Sequence, residues 1–271
     1  MNDMSLKAKI RNLAVSKNMA PQSTMQLYLM NRFLFRLSKS EYTDKYIIKG
    51  GVLISSIVGI ENRATMDIDA TVKNMALDPK SIRKSFETIC NVKTDDNISF
   101  TVESISAIRD DDEYGGYRVS FYAHFGKINA PMSMDVTTGD IVTPGAKRNT
   151  FKDVITHEEF ELWSYPIETI LAEKVECILN RGIENTRPRD FYDVLLLSGC
   201  NYDKDVFKKA LAATAEHRGN PLVAEDYENT VKAIGEDKQM NLRWKTYSER
   251  YSYANGILFS ETLKAITELM K

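Results

Sequence analysis

Lys49-Gly50-Gly51, followed a short distance on by Arg63-Ala64-Thr65-Met66-Asp67-Ile68-Asp69-Ala70-Thr71-Val72, is the stretch that decides the fold. Tyr46-Ile47-Ile48 reads as a short strand, the glycines break it, and Val52 to Val58 reads as a short apolar helix. After the polar loop Glu61 to Thr65, Met66 to Val72 reads as a second strand. Alternate strand residues share a face, so Asp67, Asp69 and Thr71 point one way while Met66, Ile68, Ala70 and Val72 point the other. Two carboxylates held that close repel each other unless a cation or hydrogen bonds compensate. Hard oxygen ligands with no His or Cys nearby favour Mg²⁺ or Mn²⁺ over zinc. A solvated edge strand is the competing reading of Asp-x-Asp taken alone. The glycine turn opens a helix and so offers backbone N–H groups at the positive end of the helix dipole, where phosphate binds. An ordinary tight turn would use the same glycines. In Met132-Ser133-Met134-Asp135-Val136, Asp135 lies opposite in phase to Met134 and Val136 and could complete a metal cluster with Asp67 and Asp69. Asp140 and the run Asp110 to Asp112 read as solvated turn residues.

Upstream, Leu6 to Asn18 and Gln22 to Ser38 have helical spacing, with Pro21 suited to the first turn of the second helix and Leu27, Met30, Phe33, Leu34 and Leu37 forming its buried stripe. Downstream, Leu77 to Val92 is helical. Ile98 to Ile108, Tyr117 to Phe125 and Met132 to Thr137 read as successive strands, joined by an acidic turn at Asp110 to Glu113 and by Gly126 and Pro131. From Pro166 strand signals nearly vanish, and helices are expected over Ile167 to Arg181, Arg189 to Leu197, Lys204 to Ala215, Tyr227 to Ile234 and Ser260 to Met270. The class is α+β: a mixed sheet with flanking helices in residues 1–160, then a mostly helical domain in 161–271, with the boundary after the turn-rich Thr143 to Asn149.

The 271 residues carry 36 Lys and Arg against 38 Asp and Glu, which excludes a protein that holds nucleic acid merely by being basic. Cys90, Cys177 and Cys200 have neither disulfide-framework nor zinc spacing. No apolar run approaches a membrane span. A cytoplasmic protein with no membrane partner is expected. His124, His157 and His217 are scattered, with no Ser-His-Asp or Cys-His arrangement, so nucleophilic hydrolase chemistry is disfavoured.

In the helix after Pro166, Ile167, Ile170, Leu171, Val175 and Ile178 form one stripe and Lys174 falls inside it, while Glu168, Thr169, Glu173, Glu176 and Asn180 take the flank or far side. Lys174 either snorkels over apolar surface or holds a triphosphate as a mobile point charge. In Thr186-Arg187-Pro188-Arg189-Asp190-Phe191-Tyr192-Asp193-Val194, Pro188 suits a helix start, and Asp190 and Asp193 share a face. Compensation of the helix dipole explains Asp190 well and Asp193 less well. Arg187 and Arg189 are open between solvent and phosphate. Near Met240 to Arg250, Trp244, Tyr247 and Tyr251 among basic residues fit either an amphipathic helix surface or stacking on RNA.

Together, Lys49-Gly50-Gly51, Arg63-x-Thr65-x-Asp67-Ile68-Asp69, Glu173-Lys174 and Arg189-Asp190-Phe191-Tyr192-Asp193 resemble the AbiEii toxin family, nucleotidyltransferase-like proteins of the DNA polymerase beta superfamily, to which the MenT toxins are related. The resemblance spans roughly residues 45 to 200, four motifs in order. It implies a minimal nucleotidyltransferase fold followed by a helical domain, and a toxin paired with an antitoxin that acts in abortive phage infection or plasmid-type stabilisation. The implied catalytic set is Asp67, Asp69, Lys174 and Asp190 or Asp193. Asp67 and Asp69, with Asp135, would hold Mg²⁺ or Mn²⁺, and Lys49, Gly50, Gly51, Arg63, Thr65 and Lys174 would bind the nucleotide. The superfamily shows Gly-Ser where this chain has Gly50-Gly51, with Ser55 and Ser56 the hydroxyls that could approach instead. The expected substrate is a nucleoside triphosphate, GTP by analogy with AbiEii or a pyrimidine nucleotide by analogy with MenT relatives, which extend the 3′ end of tRNA. The expected acceptor is a nucleic acid, RNA or tRNA by that analogy, or a protein, and Asp193 is the candidate to deprotonate its hydroxyl. A small-molecule, antibiotic-type nucleotidyltransferase and a non-catalytic partner-binding module are the alternatives.

Overall fold

The computed structural model describes residues 3–108 and 115–271, so the expected turn at Asp110 to Glu113 lies outside the described residues. The chain divides into two compact units, Met1–Asp140 with Lys147–Ser164, and Ile141–Ala146 with Tyr165–Lys271.

The first unit opens with helices α1 (Asp3–Ser16) and α2 (Pro21–Lys39), then strand β1 (Tyr46–Lys49), helix α3 (Gly50–Val58), β2 (Ile68–Val72), α4 (Pro79–Cys90), β3 (Ser99–Ala107), β4 (Gly116–Phe125), β5 (Ile128–Thr137), β6 (Lys147–Lys152) and β7 (Glu159–Ser164). The seven strands form one mixed sheet in the order β3-β4-β5-β2-β1-β7-β6. β2 runs parallel to β5, β1 parallel to β7, and the remaining neighbours are antiparallel. Asp78 starts α4 by accepting from the backbone N–H groups of Lys80 and Ser81. Pro131 does not end a loop as the sequence suggests. It sits inside β5 opposite Tyr122, exposed, where the missing donor is tolerated.

Two strands, β6 and β7, fall where the sequence reads as turns and a boundary. The signal is weak for a physical reason: β6 is an edge strand in which only Phe151 is buried, and β7 shows alternation over just Phe160, Leu162 and Ser164. On the helix-covered side of the sheet, Phe33 of α2 meets Phe121, Phe86 and Phe100 at ring-centroid distances of 4.6, 5.5 and 5.6 Å. Helix α2 is buried almost all round, beyond the expected stripe, and carries Arg32 and Arg36 inward. Their charges are tolerated because Asp96 accepts from both, at 2.7 Å from Arg32 Nε and 2.7 Å from Arg36 Nη2, while Glu158 accepts from Arg32 at 3.0 Å.

The second unit contains α5 (Ile167–Arg181), a short 3₁₀ turn (Gly182–Glu184), α6 (Pro188–Ser198), α7 (Lys204–His217), α8 (Tyr227–Glu236), α9 (Lys238–Arg250), a second 3₁₀ turn (Ser252–Ala254) and α10 (Phe259–Met270). Trp244 and Tyr247 are buried and packed on Phe259 and Tyr192, so they build this unit's core and leave no ring face for RNA. Among the described residues, no helix is long and apolar enough to cross a membrane.

Burial by itself would raise the Asp96 pKa, but the Arg36 hydrogen bond outweighs it and holds the carboxyl well below the usual range. A depressed carboxylate pKa adds stability above the unfolded value near 4 and loses it as pH falls below that. Asp96→Asn should therefore cost roughly 3–5 kcal/mol at neutral pH, because it strands a buried guanidinium. Denaturant titration should show that deficit shrinking below about pH 4; a deficit that stays constant with pH would contradict this account.

Candidate active site

Four neighbouring strands place one charged residue each at the same level of the sheet. Lys49 of β1 pairs in register with Asp69 of β2, Asp69 with Asp135 of β5, and Asp135 with Arg118 of β4. Residues directly opposite across a ladder project to the same face, so the row reads cation, anion, anion, cation on one side of the sheet. The other side is apolar: Ile68, Ala70, Met134 and Val136 are buried. Asp67 precedes β2 rather than lying in it, yet its carboxylate reaches the same region, accepting from Ser133 Oγ of β5 at 3.2 Å. Met66, expected on the apolar face, is 46% exposed, because the chain leaves strand geometry before Ile68.

The glycine turn is built onto this row. Gly50 has φ +66°, and a Cβ there would overlap the Asp69 carboxylate. Only glycine gives both that backbone conformation and that close approach. A Cβ on Gly51 would meet Thr65 Oγ1 and crowd the Arg63 guanidinium. The motifs at 49–51, 63–65 and 67–69 are thus brought together. Lys49 caps α3 without a side-chain hydrogen bond to the helix; its ammonium lies 2.8 Å from Thr137 Oγ1 and 2.5 Å from Asp140. Asp140, expected in solvent, is therefore half-buried and ion-paired. Arg63 and Thr65 are buried, and Arg63 donates to the Ala64 carbonyl at 2.5 Å, which makes both residues supports of the loop. Ser55 donates to the Arg63 carbonyl and Ser56 to that of Leu53, so both hydroxyls are already engaged.

Arg118 was not singled out by the sequence. Its guanidinium grips Asp135 bidentately, with Nε and Nη2 each 2.7 Å from a carboxylate oxygen. Asp135, with Asp69 and Asp67 behind it, raises the Arg118 pKa. The carboxylate oxygens at 67, 69 and 135 are the right donor chemistry for a hard divalent cation. They are not drawn into a ready-made cluster: among the described residues, no three His, Cys, Asp or Glu side chains converge on a metal position. Beside Asp67 lies a cavity of about 540 Å³ lined by Met25, Met66, Met132, Gln22, Asn129 and Ser133 among others.

In the helical unit, Lys174 does lie with the buried stripe of α5, and its ammonium is held 2.6 Å from Asp190 and 2.9 Å from Asp193 of α6. Burial opposes the charge, but the two carboxylates outweigh it and raise the Lys174 pKa above the ordinary lysine value. Asp193 is fully buried; Arg187 and Arg189 are exposed. Glu176 and Thr169, expected on the flank or far side, are buried. Helix α7 packs across α5 and its C-terminal Arg218 binds Glu176 at 2.5 Å, while Thr169 Oγ1 donates to the Thr143 carbonyl at 2.7 Å.

A family described as "Nucleotidyl transferase AbiEii toxin, Type IV TA system" matches residues 32–265. Two solved structures from H. pylori are similar. One, a candidate nucleotidyltransferase, has TM-score 0.51 and 15% identity, covering 93% of this chain and 96% of its own. The other, JHP933, has TM-score 0.52 and 15% identity, covering 93% of each chain. At such identity the likeness establishes a shared fold. No curated protein matches the chain significantly. The family match includes the glycine turn, the strand aspartates, Lys174 and the Asp190–Asp193 segment, and the chain belongs to the AbiEii family of nucleotidyltransferase toxins.

Proposed function

We propose that this chain is the toxin of a toxin–antitoxin pair and transfers a nucleotidyl group from a nucleoside triphosphate to an acceptor hydroxyl, releasing pyrophosphate. The observation that carries the proposal is Gly50 seated against Asp69, itself in register with Asp135, so that a glycine turn opening a helix lies beside paired carboxylates. Asp67, Asp69 and Asp135 would hold Mg²⁺ or Mn²⁺, which when bound would neutralise phosphate charge as pyrophosphate leaves. Gly50 and Gly51 would offer backbone N–H groups to phosphate oxygens. In the helical unit, Lys174, which falls within the family match, is proposed to be required for transfer. Asp193, buried and paired with Lys174, suits orienting that ammonium better than taking a proton from an acceptor. Asp67, exposed at the edge of the cavity, is better placed to accept it.

The proposed nucleotide is GTP or a pyrimidine triphosphate, and the proposed acceptor is an RNA end such as that of tRNA. A second reading is favoured by one observation: among the described residues lining the cavity beside Asp67, none is Lys or Arg. A small uncharged or cationic acceptor would fit such walls, whereas RNA would have to keep its phosphates outside them.

Incubation with each labelled triphosphate, Mg²⁺ and total cellular RNA should label RNA. Labelling only of added aminoglycoside-like small molecules would support the second reading, and no labelling of any acceptor would refute both. Asp69→Asn should lower transfer by about 100-fold or more while leaving the fold intact. Lys174→Ala should relieve growth arrest on overexpression; arrest that persists with a folded variant would contradict its role. Gly50→Ala should cost about 1–2 kcal/mol from the left-handed backbone alone and displace Asp69, so transfer should fall more than thermal stability does. Equal transfer by the variant would show that the turn does not shape the site.

A further inference from the structure

Of the row's two cations, Arg118 is the more exposed, and its side chain is bound to a site carboxylate. Lys49, at the other end, is half-buried between Asp140 and Thr137. Arg118 is 52% exposed, and its two-pronged contact falls on a carboxylate that is itself only 21% exposed. We propose that Arg118 is a built-in counter-ion for the acidic site, occupying Asp135 in the absence of metal and competing with a divalent cation for the same oxygens.

Asp69 and Asp135 lie side by side on parallel strands, and Asp67 approaches the same face, so three carboxylates crowd a region that must be stable before any cation arrives. At Asp135 the guanidinium fork supplies compensation with two parallel hydrogen bonds. It also takes up both oxygens of Asp135, and among the described residues the carboxylates do not converge as a preformed metal set. Because the arginine is half-exposed, releasing it into water costs much less than the release of a buried partner. Metal binding would free it, and the site would resist loose occupation by cations. The bland alternative is a cross-strand ion pair of ordinary surface kind, which would hold two strands together and do nothing to metal affinity. The inference rests on the assignment of Asp67, Asp69 and Asp135 as metal ligands, and its test separates the two.

The measurement is Mn²⁺ affinity of the full chain without nucleotide, by calorimetry or by the electron paramagnetic resonance signal of free Mn²⁺. Removing a unit positive charge adjacent to the ligands should tighten binding about tenfold in Arg118→Gln. In an Asp135→Asn background the same change should have a clearly smaller effect, since the anionic carboxylate under competition is gone. Arg118→Lys, which keeps the charge but not the fork, should fall between wild type and Arg118→Gln. Equal or weaker Mn²⁺ binding by folded Arg118→Gln would overturn the proposal and leave Arg118 as a strand-to-strand ion pair. If wild type, Arg118→Gln and Asp67→Asn all fail to bind Mn²⁺ measurably, the metal-site assignment itself fails, and the counter-ion role falls with it.

Discussion

Two carboxylates on adjacent parallel strands, Asp69 and Asp135, share one register position, and much of the first unit can be understood as the means of keeping them there. Like charges at such close range are unstable on a solvated sheet. The chain answers with apolar anchoring on the reverse side, where Ile68, Ala70, Met134 and Val136 are buried, and with cations at both ends of the row. It also narrows the approach to Asp69 with a glycine that no other residue can replace without collision. Helix α2 backs the sheet, and its two inward arginines are in turn fixed by Asp96. A site that concentrates negative charge is thus carried by a scaffold whose own buried charges are neutralised in place.

The helical unit solves the opposite problem. Lys174 is a cation among apolar neighbours on α5, and two acids one helical turn apart on α6 make its charge favourable there. Pro188 starts α6 so that Asp190 falls in its first turn, where the helix dipole also favours an anion. Asp193, one turn on, lies too deep for the dipole to account for it, and its contact with Lys174 supplies the reason. The residue that helix-dipole compensation explained less well is the one the ion pair explains best.

Much of this was legible in the sequence, and the part that was not has physical causes. Glycine turns, period-two alternation and period-3.6 stripes are local, so α2, α5, β4 and the facing of Asp69 and Asp135 could be read directly. Contacts made across strands could not: the Arg118–Asp135 pairing depends on a hairpin register that no local pattern specifies, and the Lys49–Asp140 contact joins β1 to a loop residue far along the chain. Arg32, Arg36 and Glu176 look like ordinary surface charges in sequence, and become buried only because a distant partner neutralises each of them. Strand β6 escaped because an edge strand with one buried residue carries almost no pattern. Around Asp69, the motifs located loops that the fold brings together, while the burial of Arg63 and Thr65, which makes them supports of those loops, required coordinates.

The central claim is that the acidic row is a divalent-cation site. The most direct test is a crystal soaked in Mn²⁺ and measured at a wavelength where manganese scatters anomalously. The account predicts one strong anomalous peak within coordination distance of the Asp69 and Asp135 carboxylates, with Asp67 adjacent and the Arg118 side chain turned away from Asp135. A saturating soak that leaves this position empty, with the Arg118–Asp135 contact intact, would contradict it.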